Sequence, residues 1–267
     1  MSDYGTLQDR VRCKSLLSKV CKAEDTIQHF KPGMNLGWSG FTPAGYPKEV
    51  PIALADHVEQ NNLQGKLKFN LFIGASVGAE TEDRWATLDM IDRRWPYQTG
   101  KNIAKGINEG RIRMGDKHLG LFAQDISYGF YTENGRMDIA IIEVSAVTED
   151  GGLVLTSSCG IVPELMMVSD KIILEVNTGQ PSFEGIHDII MAKKPPYREP
   201  FMITSADSRV GTTSVPCDPS KVIAVVESKR RDKGRAFTEM DETSEAIASH
   251  IMEFFAHEVK RGRLPEN

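Results

Sequence analysis

A turn with the spacing of a nucleophile elbow occupies residues 74–78, Gly-Ala-Ser-Val-Gly. In a G-x-S-x-G turn the serine hydroxyl is exposed at the end of a strand, where it can attack an acyl carbon. A serine hydrolase also needs a histidine and a carboxylate, and His118 and His187 are candidates that their spacing does not single out. Two interpretations of Ser76 therefore stay open, a catalytic nucleophile and a tight turn in which glycines let the backbone bend.

A second loop rich in glycine and proline lies at residues 39–47, Ser-Gly-Phe-Thr-Pro-Ala-Gly-Tyr-Pro. Gly40 and Gly45 would let the backbone approach a ligand closely, Phe41 can line an apolar slot, and Pro47 fixes the exit of the loop. Exposed N–H groups at a strand-to-helix junction can hold an oxyanion or a phosphate. An ordinary turn between a strand and a helix explains the same residues equally well.

A basic run at residues 229–235, Lys-Arg-Arg-Asp-Lys-Gly-Arg, stands in an otherwise acidic chain. Such a run is typical of a solvated surface loop. It is also suited to the capture of a phosphorylated ligand, because Arg and Lys bind phosphate and a local excess of charge raises encounter rates.

Other chemistries find little support in the sequence. His250 and His257 lie two turns apart on a predicted helix, which favours a solvated face over a metal site, and we expect no metal. Neither a P-loop nor a dinucleotide-binding motif is present. With 32 basic and 37 acidic side chains the net charge is −5, which argues against a nucleic-acid binder.

The length of the chain and its cysteine content limit the classes of protein to which it can belong. A chain of 267 residues can bury a substantial core without disulfides. Its four cysteines form no CxxC pair and indicate free thiols of a reducing compartment. No apolar run approaches the roughly 20 residues of a membrane-spanning helix, so we expect no membrane partner.

The elements that must position these loops are β-strands alternating with helices. Apolar and β-branched runs predict strands at 34–38, 67–73, 139–147, 171–176 and 221–226. Helical spacing predicts helices beginning near Pro51, over 85–91, and after a cap at Asp241 or Thr243. Strand-loop-helix repeats are typical of an α/β sheet whose site lies at the strand ends.

We predict three regions: an N-terminal helical segment at 1–33, an α/β domain at 34–235, and a C-terminal helix at 236–267. Basic residues alternate with leucines and valines over residues 7–22. The pattern is typical of a mitochondrial presequence or of a surface helix packed on the domain, and Asp3 and Asp9 weaken the first interpretation. We expect a mitochondrial location, with the cytoplasm as the alternative.

The loop at 39–47 resembles the G-G-F-x-x-x-G-x-P signature of class I coenzyme A transferases, with Ser39 in place of the first glycine. More closely, the chain resembles the acetyl-CoA hydrolase/transferase family, which includes fungal acetyl-CoA hydrolases and succinyl-CoA:acetate CoA-transferases. The matching stretches are GWSGFT at 37–42, FNLFIGAS at 69–76, DKHL at 116–119, EVNT at 175–178, FEGIHD at 183–188 and EVKxGRLP at 258–265. They run in order along nearly the whole chain.

The resemblance implies an open sheet flanked by helices and a coenzyme A transfer through a glutamyl thioester, a form of covalent catalysis. Acetyl-CoA and short carboxylic acids would be the substrates, with acetate or water as acceptor. Coenzyme A would then be a substrate, and no cofactor would be bound permanently. A second chain or a homodimer is compatible with this interpretation.

The resemblance also implies that the catalytic glutamate of the family lies beyond Asn267, so we expect no catalytic residue in this chain and little turnover. The residues expected to line the active site are Ser39, Gly40, Phe41, Gly45, Pro47, Gly74, Ala75 and Ser76. In the family, the counterpart of Ser76 lies next to the active-site glutamate. The loop at 157–163 departs from the family at Cys159 and at 161–162.

Two alternatives remain. One is a self-sufficient serine esterase that uses Ser76, and the other is a non-catalytic partner of a complete enzyme.

Overall fold

A computed structural model describes residues 4–76, 78–234 and 237–265. Within these residues, one sheet contains eight strands in the order β4-β3-β2-β1-β5-β7-β8, with β6 paired to β5. The pairs are parallel except for β5 with β6. The strands are Asn35–Trp38 (β1), Phe69–Ile73 (β2), Ile91–Trp95 (β3), Arg113–Met114 (β4), Met137–Val147 (β5), Leu153–Leu155 (β6), Ser169–Asn177 (β7) and Val222–Ser228 (β8).

Helices cover both faces of the sheet. They are Leu7–Arg10 (α1), Lys14–Leu17 (α2), Glu49–Gln60 (α3), Arg84–Thr87 (α4), Lys101–Asn108 (α5), Leu119–Tyr128 (α6) and Val162–Val168 (α7). One further helix, Glu242–Lys260 (α8), belongs to a separate C-terminal unit. Short 3₁₀ helices at Ala23–His29 and Pro219–Lys221 and a π-helical turn at Ala79–Asp83 complete the regular structure. The mainly parallel sheet between helices confirms the predicted α/β class.

Alternation along the strands divides the core into two layers. Leu71 and Ile73 belong to one buried cluster, with α3, α4 and α5, whereas Phe72 between them belongs to the other, with α1, α2, α6 and α7. A sheet covered on both faces needs strands that are apolar throughout, as the eleven residues of β5 are for the most part.

The order of the strands reverses beside β1. From β1 the chain proceeds outward through β2, β3 and β4, and then returns to place β5, β7 and β8 on the other side. In an open parallel sheet, the crevice for a ligand lies at such a reversal, outside the carboxyl ends of the strands. The topology therefore places a candidate site where β1 and β5 lie side by side.

The N-terminal segment is not the continuous amphipathic helix that the sequence predicts. The backbone leaves helical geometry after each of two four-residue helices, and forms bridges between Val11 and Val147 and between Val20 and Val225. Pairing with the sheet satisfies backbone groups that a continuous helix would satisfy internally. Leu16, between the two bridges, is fully buried.

The predicted strands are confirmed as β1, β2, β5, β7 and β8, with ends shifted by one to two residues. The predicted helix at 85–91 is wrong at its end, because α4 stops at Thr87 and Ile91 begins β3. Asp89 adopts a left-handed conformation with φ of 51° between them, which reverses the chain. The strands β3, β4 and β6 were not predicted. Two arginines and an aspartate interrupt β3, and β4 and β6 are only two and three residues long.

The chain divides into two compact units, Met1–Lys233 and Gly234–Asn267. The second unit contains α8, whose N-terminus is capped by Asp241 through a hydrogen bond from the Ser244 amide, as predicted. None of the helices described is long and apolar enough to cross a membrane.

Leu16→Ala tests whether the N-terminal segment is part of the core. Removing a fully buried leucine side chain usually costs about 2–5 kcal/mol of unfolding free energy, and we expect a loss in that range. Leu121→Ala, at a half-exposed leucine of α6, is the control and should change stability by less than about 1 kcal/mol. Urea unfolding followed by circular dichroism measures both, and equal losses would contradict a core role.

Candidate active site

Three loops meet around the carbonyl oxygen of Gly40 at the carboxyl edge of the sheet. A Cβ atom built on Gly74 would lie 2.8 Å from this oxygen, and one built on Gly160 would lie 2.9 Å from it. Only glycine permits such an approach, and Gly160 also has a positive φ of 52°. The structure thus brings Gly40 of the loop at 39–47 next to Gly74 of the loop at 74–78.

Backbone strain concentrates at the tip of the loop at 39–47. Gly40 has a φ of 111°, and Thr42 adopts a φ of 54°, an unfavourable conformation for a β-branched residue. The side chain of Phe41 between them is 40% exposed. Strained residues persist where the surrounding structure fixes them, and they cluster at functional sites.

Gly45 and Pro47 lie below this tip and are buried. Gly45 has a φ of 67°, and its N–H donates to Asp232 over 3.0 Å. Gly45 and Pro47 therefore connect the loop to the protein interior and do not lie on its exposed surface.

The interior beneath the loop holds the buried ammonium group of Lys48. Its Nζ lies 2.5 Å from a carboxylate oxygen of Glu143 and 2.8 Å from one of Asp232, and it donates to the carbonyl of Tyr46. Glu143 also accepts hydrogen bonds from Thr156 and Asn177. A buried charge requires such pairing, because removal from water is costly.

A second buried carboxylate caps helix α3. Glu175 accepts the backbone N–H groups of Lys48, Glu49 and Val50 over 2.6, 3.0 and 2.7 Å. These three amides at the start of α3 are therefore not available to an external oxyanion or phosphate. The protein's own carboxylate occupies the positive end of the helix.

The cluster around Lys48 contains more carboxylates than ammonium groups, and the pKa values of its members are shifted. Burial raises the pKa of Glu143 to about 7 against the opposing effect of Lys48. Burial also raises the pKa of Glu175, against its three backbone hydrogen bonds. For Lys48, burial works to lower the pKa, but the contacts with Glu143 and Asp232 outweigh it and raise the pKa.

Ser76 forms a second polar network on the other side of Gly40. Its hydroxyl donates to Glu82 over 2.8 Å and accepts the Thr99 N–H over 2.9 Å. Neither candidate histidine is bonded to it: His118 caps α6 by accepting the N–H of Gly120, and His187 contacts the carbonyl of Thr156. Among the residues described, no Ser-His pair is assembled at Ser76.

The basic run is anchored by its acidic member. Asp232 accepts hydrogen bonds from Gly45 and Ser157 in addition to pairing with Lys48, so it joins three segments of chain. Arg230 pairs with Glu49 over 3.0 Å. Arg235, at the end of the run, lies outside the described residues.

Next to this run lies an open cavity of about 780 Å³. Lys229 and Arg231 line it together with Thr178, Gly179 and the N-terminal residues 4–8. Lys229 and Arg231 thus lie at the carboxyl edge of the sheet, beside the ends of β7 and β8.

A metal site does not form in the part of the chain that the structure describes, where no cluster of three or more potential ligands occurs. His250 pairs weakly with Glu253 on an exposed face of α8, over 3.8 Å. The four cysteines are free thiols, and burial raises the pKa of Cys159 to about 11 and that of Cys217 to about 12.

Residues 5–227 match the family described as acetyl-CoA hydrolase/transferase N-terminal domain. The chain is 56% identical to the acetyl-CoA hydrolase of Saccharomyces cerevisiae and 54% identical to that of Neurospora crassa, over 100% and 98% of its own length. The chain belongs to the acetyl-CoA hydrolase/transferase family. It spans about half the length of these curated relatives, 51% in each case.

Solved structures show the same fold at low sequence identity. Yersinia pestis RipA superposes with a TM-score of 0.60 at 15% identity, over 86% of this chain and 47% of that one. The acyl-CoA transferase YdiF from Escherichia coli O157:H7 gives a TM-score of 0.56 at 11% identity, over 82% and 49%. The predicted resemblance to CoA-transferases in fold is therefore confirmed.

Sequence reasoning missed the charge cluster of this family member, which consists of the buried residues Lys48, Glu143 and Glu175 and the partly buried Asp232. A signal was available for two of them, because Glu143 and Glu175 each directly follow an unbroken apolar run within a strand. No local pattern marks Lys48 or Asp232, whose neighbours in sequence are those of an ordinary loop.

A fluorophosphonate probe tests the esterase alternative. We expect no labelling of Ser76, because its hydroxyl is bonded to Glu82 and no histidine is placed to accept its proton. Mass spectrometry of the treated chain, beside Ser76→Ala, measures this. Labelling that Ser76→Ala abolishes would reinstate the serine esterase.

The pH dependence of stability tests the ionisation of Glu143. Its pKa is raised from 4.5 to about 7, so the folded state binds more protons than the unfolded state between these values. The free energy of unfolding should therefore fall as pH rises through this window. A pKa difference of one is worth roughly 1.4 kcal/mol, and we expect a contribution of a few kcal/mol.

Urea unfolding at a series of pH values, applied to the native chain and to Glu143→Gln, measures this contribution. The decline should be flatter in Glu143→Gln, whereas Glu133→Gln on the surface should follow the native chain. Parallel profiles for the native chain and Glu143→Gln would contradict the raised pKa.

Proposed function

We propose that this chain provides the N-terminal half of an acetyl-CoA hydrolase/CoA-transferase, which acts on acetyl-CoA and short carboxylic acids. The observation that carries the proposal is the match along nearly the whole chain, at 54–56% identity, to two proteins named acetyl-CoA hydrolase. The strained loop at the reversal of strand order supports the same interpretation.

The proposed reaction proceeds through a glutamyl-CoA thioester. A glutamate carboxylate attacks the acyl carbon of acetyl-CoA, the CoA thiolate leaves and then returns to the resulting anhydride, and acetate departs. Water hydrolyses the thioester, which frees the glutamate and releases CoA. A second carboxylate instead attacks the thioester and leaves as a new acyl-CoA, which also frees the glutamate. Splitting one transfer into such steps lowers each barrier.

The carboxylates at this edge of the sheet are poorly suited to be that nucleophile. Glu175 is held by three backbone amides, Glu143 by Lys48, and Glu82 by Ser76 and Arg94. A nucleophile must be able to leave its partners and reach the thioester carbon. In the proposal, the polypeptide that the relatives possess and this chain does not span supplies the glutamate.

This chain would supply one wall of the cleft and part of its electrostatic attraction. Phe41 offers apolar contact to the acyl-CoA, and the cations Lys229 and Arg231 border the cavity beside the basic run. Coenzyme A carries several phosphate charges, so cations at the rim would raise its rate of encounter. Coenzyme A acts as a substrate, and the proposal needs no permanently bound cofactor.

Thiol release from acetyl-CoA tests the proposal. We expect the purified chain to show little or no release above background, because the nucleophile is not among its residues, while the full-length relative from Saccharomyces cerevisiae serves as positive control. Robust release by the chain alone would overturn the half-enzyme interpretation. Release that appears only with a co-purified second chain would identify a two-subunit enzyme.

A further inference from the structure

A row of polar residues crosses three strands at the amino edge of the sheet, opposite the edge described above. Asn35 of β1 pairs in register with Asn70 of β2, and Asn70 pairs with Arg93 of β3. Residues in register on parallel strands project from the same face, and two positions further along Phe72 and Trp95 stack on that face with ring centroids 4.8 Å apart. This polar row therefore lies at the starts of the strands, beside the aromatic pair.

The loop at 131–134, between α6 and β5, forms a second wall opposite the polar row. Its first residue, Tyr131, places its ring centroid 5.7 Å from that of Trp95. At its other end, Asn134 Oδ1 accepts the backbone N–H of Arg136 over 3.0 Å. An open cavity of about 380 Å³ lies between this loop and the polar row, and its lining is mostly polar.

The guanidinium group of Arg93 lines this cavity and has no hydrogen bond or ion pair among the residues described. Every other arginine between residues 4 and 233 donates to a carboxylate or a carbonyl group. The adjacent carboxylate of Asp92 is paired with Arg113. Arg93 thus presents an uncompensated cation whose planar fork fits a carboxylate.

Two acceptors of the same cavity also lack donors. The carboxylate of Glu133 has no partner in the part of the chain that the structure describes. Asn70 Nδ2 donates to the carbonyl of Gly33 over 3.2 Å and to Asn35 Oδ1 over 2.9 Å, whereas its Oδ1 is buried and unbonded. A carbonyl can only accept, which fixes the orientation of the Asn70 amide. A donor brought by a ligand would be stabilising there, because a buried acceptor without a partner is costly.

We propose that this cavity binds a small zwitterion of the α-amino acid class, with its carboxylate on Arg93 and its ammonium group on Glu133 and Asn70. Because Asp92 is neutralised by Arg113, the uncompensated charges of the lining are one cation and one anion. A simple anion would leave Glu133 unpaired, and a simple cation would leave Arg93 unpaired. The site lies at the opposite edge of the sheet from the proposed reaction and does not rest on it.

The ligands that test this proposal are the four neutral polar amino acids L-serine, L-threonine, L-asparagine and L-glutamine, since Thr132 and Asn134 add further polar groups to the lining. Isothermal titration calorimetry of the full chain should show saturable binding of at least one of them, with one ligand per chain. The deamino acid and the carboxamide of that amino acid each lack one charge. We expect each to bind about tenfold more weakly or worse, because each forfeits a hydrogen-bonded charge.

Variants assign the two charges to their partners. Arg93→Gln and Glu133→Gln should each weaken binding by about tenfold or more. Arg93→Gln should also bind the carboxamide as well as the amino acid itself, which a merely structural role would not produce. Arg261→Gln and Glu24→Gln remove the same charges at exposed positions outside the cavity and should stay within about twofold of the native affinity. Circular dichroism establishes that each variant is folded.

Absence of saturable binding by all four amino acids would overturn the proposal, and this result depends on no variant. Equal affinity for the amino acid and both analogues would overturn it as well, as would native affinity in folded Arg93→Gln. The titrations contain no acetyl-CoA, so their failure leaves the proposed function unaffected.

Discussion

The buried ammonium of Lys48 is the contact on which the carboxyl edge of this sheet depends. It joins Glu143 of β5 to Asp232 of the segment after β8, and its own backbone N–H is bonded to Glu175 of β7. Loop 39–47 leads directly into this lysine. The contacts of Lys48 therefore hold the end of the loop whose tip is strained at Gly40 and Thr42. A buried charge tolerates little displacement, because an unpaired partner costs several kcal/mol. Lys48 thereby fixes the position of the loop.

The buried carboxylates of this edge share one kind of role in the structure. The carboxylates Glu82, Glu143 and Glu175 hold loops, a helix end and a hydroxyl in place. Each of them is held by partners on other segments of the chain, so they connect the strands to the loops at the reversal of strand order.

Particular elements show how far sequence patterns reach. The alternation of Leu71 and Ile73 with Phe72 predicted β2 because each face of a strand contacts one layer of core. The strand Ile91–Trp95 was not predicted, because its charged residues Asp92 and Arg93 break that alternation. The N-terminal helix was predicted too long, since its spacing could not show that Val11 pairs with β5.

The sequence alone determined the α/β class, the family resemblance, and the two loops that meet at the strand ends, because these depend on local spacing and on motifs. Only the tertiary structure decided what those loops contact. Asp232 lies 184 residues from Lys48, and Glu175 lies 127 residues from it. Contacts between residues so distant in the chain leave no local pattern. The partners of the amides at the start of α3 and of the Ser76 hydroxyl were therefore decided by packing, which placed one buried carboxylate against each.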